Sequence, residues 1–174
     1  MSQAYSPHLD ASKLASNTWV DTPTDQLIEH ILSNYHQRHR EQLPELIRLA
    51  RRVEQVHGSH PECPNGLADH LSEVHQALES HMLKEEQILF PMLRRGEHDQ
   101  ARGPISVMRF EHEQHDEGLD KLRALTNDIQ PPTHACTTWR TLYQGLETFA
   151  QELTGHIQLE NEVLFTRPLG NPLL

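Results

Sequence analysis

The chain has 174 residues, 36% of them apolar, and a formal net charge of -10 from 15 Lys+Arg against 25 Asp+Glu. That length suits one domain with a sizeable core. No run of about 20 apolar residues exists to cross a bilayer, and a surface this acidic repels a phosphate backbone, which argues against nucleic acid as a partner. The N-terminal stretch carries no basic flank followed by an apolar run, so no signal peptide is expected and the cytoplasm is the expected location. Two cysteines, Cys63 and Cys136, form no CxxC and suggest no disulfide framework.

In chain order, residues 1–21 read as a polar N-terminal tail, and 22–174 as one domain. Thr22-Pro23 resembles a helix cap followed by Pro at the first helical position. The first helix is expected over 23–57, with its apolar stripe on Ile28, Leu32, His36, His39, Leu43, Leu46, Ala50 and Val53, and with a kink at Pro44. A loop at 61–66 separates it from a second helix over 66–94, whose stripe is Leu67, Leu71, Val74, Leu78, His81, Glu85, Leu89 and Met92. Gly103-Pro104 marks the start of a third, 104–129, striped by Ile105, Met108, His112, His115, Leu119, Leu122, Leu125 and Ile129. After Pro131-Pro132 a fourth, 134–166, carries Leu142, Leu146, Phe149, Leu153, His156, Glu160 and Val163. No segment alternates as a half-buried strand does. Four long helices with short connections predict an all-α, up-down four-helix bundle.

Each stripe is interrupted by histidine, or by histidine and glutamate together. A buried, ionised carboxylate is very costly without a partner. Helices two and four repeat one phrase: His81-x3-Glu85-x2-Ile88-Leu89-Phe90 and His156-x3-Glu160-x2-Val163-Leu164-Phe165. Residues four apart share a helical face, so an imidazole and a carboxylate can grip the same cation or two neighbouring ones. His36 and His112 complete a set of four nitrogens and two carboxylates, and the candidate metal ligands are therefore His36, His81, Glu85, His112, His156 and Glu160. Six groups exceed one tetrahedral zinc and fit two metals with carboxylate bridges; mixed imidazole and carboxylate ligation suits iron, with manganese or zinc as alternatives. An oxo or hydroxo bridge and a diatomic would take the remaining positions.

The other histidines divide by position. His8, His60, His70, His75, His98 and His134 read as surface residues, and Glu86 and Glu162 as solvated. His39 and His115 fall on the stripes, and either could add a nitrogen. His57 lies 21 residues beyond His36, about 31 Å along a continuous helix, and is out of reach of the same centre. The spacing His57-x2-His60-x2-Cys63 reads as a solvated loop before it reads as a second metal site.

The strings TyrHisGlnArgHisArgGluGlnLeuProGluLeu (35–46), HisMetLeuLysGluGluGlnIleLeuPheProMet (81–92), GlyProIleSerValMet (103–108) and HisIleGlnLeuGluAsnGluValLeuPhe (156–165) carry a resemblance to the hemerythrin-like domain of the Repair of Iron Centers di-iron proteins, over about residues 23–168. The resemblance implies a non-haem di-iron site on the same six residues. By analogy with hemerythrin it places His36 and His81 on one iron, His112 and His156 on the other, and Glu85 and Glu160 as bridges. It implies a role under nitric oxide or oxidative stress, in repairing iron–sulfur clusters by donating iron, with iron–sulfur proteins as clients. The alternative is a module that binds or senses O2 or NO, and NO reduction at the centre stays open. The family's small N-terminal domain with an adjacent cysteine pair has no counterpart in residues 1–21, which contain no cysteine. Monomer and homodimer are both compatible with the sequence.

Overall fold

The computed structural model describes residues 19–169, and among these the architecture is all-helical. Helix α1 spans 24–57: an α-helical Thr24–Ile31, a π-helical Leu32–His36 and an α-helical Gln37–His57. Helix α2 spans 67–94, with α-helical Leu67–Lys84, π-helical Glu85–Leu89 and α-helical Phe90–Arg94. Helix α3 is His98–Leu125. Helix α4 spans 137–164, α-helical over Thr137–Leu159 and π-helical over Glu160–Leu164. Helix α1 packs against α2 and α4, α2 against α3, and α3 against α4.

The boundaries depart from expectation in several places, α4 beginning at Thr137 rather than 134. Helix α1 begins at Thr24 with Pro23 itself at the cap position and no side-chain cap. Helix α3 begins at His98, six residues before Pro104, and runs through Gly103-Pro104. Proline clashes with the N–H and the Cβ of the residue before it, and Gly103 lacks the Cβ. Burial of Ala101 beside Leu27, Leu93 and Ile105 stabilises the added turns. Helix α3 also stops at Leu125, because Asn127, Asp128 and Ile129 take left-handed φ values of 50°, 56° and 57°. Ile129 still reaches the core through that turn, held by its N–H donating to Thr126 Oγ1 at 3.0 Å. Pro44 is exposed and the α-helix Gln37–His57 continues through it.

The three π-helical turns are absent from any simple periodic reading, and they reset the register. One extra residue per turn rotates the following face by about 100°. The buried residues beyond Glu85 are therefore Leu89, Phe90 and Leu93, with Met92 only partly covered. Before His36 they are Leu27, Ile28 and Ile31, with Leu32 at the margin. Beyond Glu160 they are Val163, Leu164 and Phe165.

Two apolar clusters result. One gathers Leu43, Leu71, Leu78, Leu142, Phe149 and Leu153, among others; the other gathers Ile28, Leu89, Phe90, Ile105, Leu164 and Phe165. Every helix passes from one cluster to the other across a layer of buried polar residues: His36 and His39, His81 and Glu85, His112 and His115, His156 and Glu160. Trp19 packs its ring on His30 at 4.1 Å and joins the second cluster's edge. No helix among the described residues is long and apolar enough to cross a membrane.

Candidate metal centre

Each carboxylate in the polar layer faces two histidines with two different oxygens. Glu85 Oε2 lies 3.3 Å from His36 Nε2, and its Oε1 lies 3.4 Å from His81 Nε2. Glu160 Oε1 lies 3.0 Å from His156 Nε2, and its Oε2 lies 3.1 Å from His112 Nε2. The six residues thus form two quartets that share both glutamates: His36, Glu85, His156 and Glu160; and His81, Glu85, His112 and Glu160. Within each quartet the ligand atoms lie within 4.8 Å of one another, and every member is buried.

The histidine pairing differs from the one expected by analogy. His36 shares a quartet with His156, and His81 with His112. Helix α1 packs against both α2 and α4, so adjacency alone permits either pairing, and the positions of the ligand atoms decide it. Rings confirm the sorting, with centroids 5.0 Å apart for His36 and His156 and 4.8 Å for His81 and His112.

The residues fit divalent cations. Both oxygens of Glu85, Oε2 of Glu160 and Nε2 of His36 are buried without a hydrogen-bond partner, an arrangement that costs free energy unless something positive sits among them. His81 Nε2 and His112 Nε2 are 3.1 Å apart. Two nitrogens each about 2.1 Å from one cation and at a right angle are about 3.0 Å apart. The donor set, two imidazoles and two carboxylates per quartet, suits iron, manganese or zinc.

Outer partners orient the imidazoles. His36 Nδ1 donates to Glu86 Oε1 at 2.7 Å, and Glu86 is held by Arg40 at 2.9 Å. His81 Nδ1 donates to Glu111 Oε2 at 2.9 Å, and Lys84 also donates to Glu111. His112 Nδ1 donates to Asn161 Oδ1 at 2.9 Å. Each bond leaves Nε2 turned inward with its lone pair free, the usual outfit of a metal-binding histidine. Glu86 is thus not simply solvated: the His36 hydrogen bond, outweighing its burial, holds its carboxyl down at about 2. Glu162 is exposed, as expected.

The apolar residues that follow each repeated His-x3-Glu phrase have a purpose too. Phe90 stacks on His36 at 5.7 Å and Phe165 on His112 at 5.7 Å, so each phrase supplies the shelf for the single histidine of another helix. Tyr35 stacks on His156 at 5.2 Å.

The remaining histidines sort clearly. His39 and His115 are buried beside the centre but belong to neither quartet. Burial, with the nearby His156 adding to it, pushes His39 down to about 3; burial and His81 do the same to His115. His70 is buried, not exposed, because its Nε2 donates to the Gly118 carbonyl at 2.8 Å. His57, His60 and Cys63 form no ligand cluster among the described residues. His57 Nε2 instead lies 3.2 Å from Cys136 Sγ. His60, His98 and His134 are exposed, His75 is half-buried, and His8 lies outside the described residues.

A model of the hemerythrin HHE cation-binding domain matches residues 27–167. The chain belongs to this family. Curated relatives include the iron-sulfur cluster repair protein YtfE of Edwardsiella ictaluri, 49% identical over 163 residues, which is 94% of this chain and 74% of the relative. The proteins of the same name from Dickeya chrysanthemi and Citrobacter koseri are each 52% identical, over 87% of this chain and 68% and 69% of their own lengths. The quartets lie wholly inside the matched region.

Family membership and geometry together bear on metal uptake. In the metal-free protein, burial disfavours a charged His36, but the adjacent carboxylates of Glu85 and Glu86 outweigh it and raise the ring to about 9. Burial opposes His81 likewise, and Glu85 and Glu111 raise it to about 9. Both rings are raised, so both hold a proton at pH 7 and shed it only above that value. A cation must displace them, one in each quartet. Metal loading at pH 7 is expected to release about one proton per cation, and affinity should climb about tenfold per pH unit from 7 to 9, then level. Titration calorimetry in buffers of different ionisation heat reads the proton count; loading without proton release would refute this reading of the two rings.

Proposed function

We propose that the chain is an up-down four-helix bundle of the hemerythrin kind, holding two irons through His36, His81, Glu85, His112, His156 and Glu160, and that it serves the repair of damaged iron–sulfur clusters by supplying iron. The observation that carries it is the division of each carboxylate. Glu85 and Glu160 each present one oxygen to one quartet and the second oxygen to the other. Shared carboxylates suit two cations about 3.5–4 Å apart, and protein groups fill four places at each, so exogenous groups complete the coordination. The name of the relatives, iron-sulfur cluster repair protein, at 49–52% identity supports the biological role. Clients on this reading are iron–sulfur proteins under nitric oxide or oxidative stress.

Glu86, Glu111 and Asn161 reach the Nδ1 atoms from the half-buried flank of the bundle. They would keep a proton on each Nδ1 and so hold the inward Nε2 ready for a cation.

The test is reactivation of an iron–sulfur dehydratase stripped of one iron. Protein loaded with ferrous iron under argon should restore activity in the presence of a chelator that suppresses rescue by an equal amount of free ferrous iron. Equal rescue by protein and free iron would remove donation. A reversible charge-transfer band on adding NO or O2, without any rescue, would assign the centre to gas binding instead.

A further inference from the structure

Trp19, His30, Tyr35 and His156 form a continuous file of rings from the rim of the bundle to the metal centre. The centroids of Trp19 and His30 are 4.1 Å apart, those of His30 and Tyr35 5.8 Å, and those of Tyr35 and His156 5.2 Å. Tyr35 lies nearly parallel to His156, at 8°, and meets His30 edge-on, at 88°. Trp19 and Tyr35 are half-buried, whereas His156 is a buried member of a quartet. The file therefore starts where solvent reaches and ends at the centre.

Bonds to its backbone hold Trp19 in place. Arg167 donates to the carbonyls of Trp19 at 3.0 Å and Thr22 at 2.6 Å, and to Thr24 Oγ1 at 2.9 Å. The turn ahead of α1 is thereby tied to the 3-10 turn Arg167–Leu169. His30 accepts at Nδ1 from the Asn34 amide at 2.9 Å, and burial lowers its pKa, so a neutral ring bridges Trp19 and Tyr35 at pH 7.

Stacking alone does not call for tyrosine. His36 and His112 are backed by Phe90 and Phe165, each at 5.7 Å. Phenylalanine packs as well and has no hydroxyl to bury. The Tyr35 hydroxyl makes no hydrogen bond among the described residues that would explain it. What tyrosine and tryptophan add is that they give up an electron far more readily. The other tryptophan, Trp139, is buried among His57, His60 and Tyr143, and its ring contacts lead to no quartet histidine among the described residues.

We propose that Tyr35 and Trp19 carry an oxidising equivalent from the metal centre to the surface when a peroxide reacts there. The inference rests on the metal-centre reading above, and it matters most once one iron has been given away. Hydrogen peroxide takes up two electrons and two protons to become two waters. A single remaining ferrous ion supplies one electron and becomes ferric. Tyr35 supplies the other across His156: its phenolic O–H bond breaks, the proton passes to water, and a tyrosyl radical remains. Trp19 then gives an electron and its indole proton to Tyr35, re-forming the phenol and leaving the radical at the rim. A soluble thiol quenches it there by giving up a hydrogen atom, and two thiyl radicals join as a disulfide. Tunnelling falls steeply with distance, so short steps between rings outrun one long step to the surface.

The test counts iron in the full chain by elemental analysis, then mixes the form carrying one ferrous ion with hydrogen peroxide under argon and freezes it for electron paramagnetic resonance. Wild type should show a tyrosyl signal that gives way to a tryptophanyl one. Tyr35→Phe, which keeps the stacked ring, should lower the radical yield per bound iron at least about tenfold. Trp19→Phe should lengthen the life of the tyrosyl signal at least about fivefold. An equal yield in the first variant, or an unaltered lifetime in the second, would overturn the proposal. A second measurement needs no metal. Flash-generated tris(bipyridine)ruthenium(III) oxidises the metal-free chain, and the tryptophanyl radical should pass to tyrosine; in Tyr35→Phe it should last at least about tenfold longer, and an unchanged lifetime also counts against the route. The iron count separates the failures. A chain that binds iron but forms no Tyr35 radical loses only this inference; a chain that binds none loses the metal centre as well.

Discussion

Glu85→Ala is expected to abolish loading at both metal positions, since one carboxylate serves both quartets: Oε2 toward His36 and Oε1 toward His81. A histidine variant such as His36→Ala removes a donor from one quartet only, and should leave part of the metal. The thermal consequence follows from linkage. A cation that binds only the folded chain stabilises it by about 2.7 kcal/mol at a hundred times its dissociation constant, and about 4.1 kcal/mol at a thousand times. For a domain of this size each kcal/mol moves the melting temperature by about 2–4 °C. The metal-dependent rise, roughly 10 °C in wild type, should vanish in Glu85→Ala. Elemental analysis and calorimetry with and without ferrous iron check both halves. A variant that keeps its full metal and its full metal-dependent rise would show that Glu85 is no ligand.

Phe149→Ala should cause a comparable loss of stability by a different route, one that is independent of metal. Phe149 is fully buried in the larger apolar cluster, with its neighbours Leu146, Ala150 and Leu153 in the same core and its edge against His39. Removing a buried phenyl ring forfeits its transfer free energy and leaves a cavity that close-packed helices cannot fill, a cost of about 3–5 kcal/mol. Urea denaturation of the metal-free proteins measures it directly. A cost under about 1 kcal/mol would mean that this end of the bundle is loosely packed. The contrast with Glu85→Ala is diagnostic: one variant loses stability with or without metal, the other loses only the increment that metal adds.

Much of the molecule could be read from its residues in order. Four stripes at helical spacing gave four helices, and the repeated His-x3-Glu phrase placed Glu85 and Glu160 in buried stripes where an unaccompanied carboxylate is untenable. His36 and His112 followed from the same spacing. All six meet in the structure because a helix has one repeat, and residues three and four apart must share a face. Neighbouring details were less legible. Gly103-Pro104 looks like a boundary, yet Gly103 removes the clash that would have made it one. Glu86 and His70 sit at half-polar positions where periodicity alone does not distinguish a solvated side chain from a bonded one.

Chain order by itself determined that the six ligand candidates turn inward, since along each stripe that depends on the helical repeat and on the free energy of burial. Three things were decided by tertiary structure alone. The first is which histidine shares a cation position with which: α1 lies beside both α2 and α4, and only the placement of the ligand atoms in space chooses between them. The second is the set of π-helical turns at His36, Glu85 and Glu160, where one added residue lets the ligand face inward and the next stretch repack on the second cluster. The third is the identity of the partners behind three of the rings, Glu86, Glu111 and Asn161, none of them on a stripe. Contacts between helices are set by how whole surfaces pack, and a single strand of letters carries no measure of that distance.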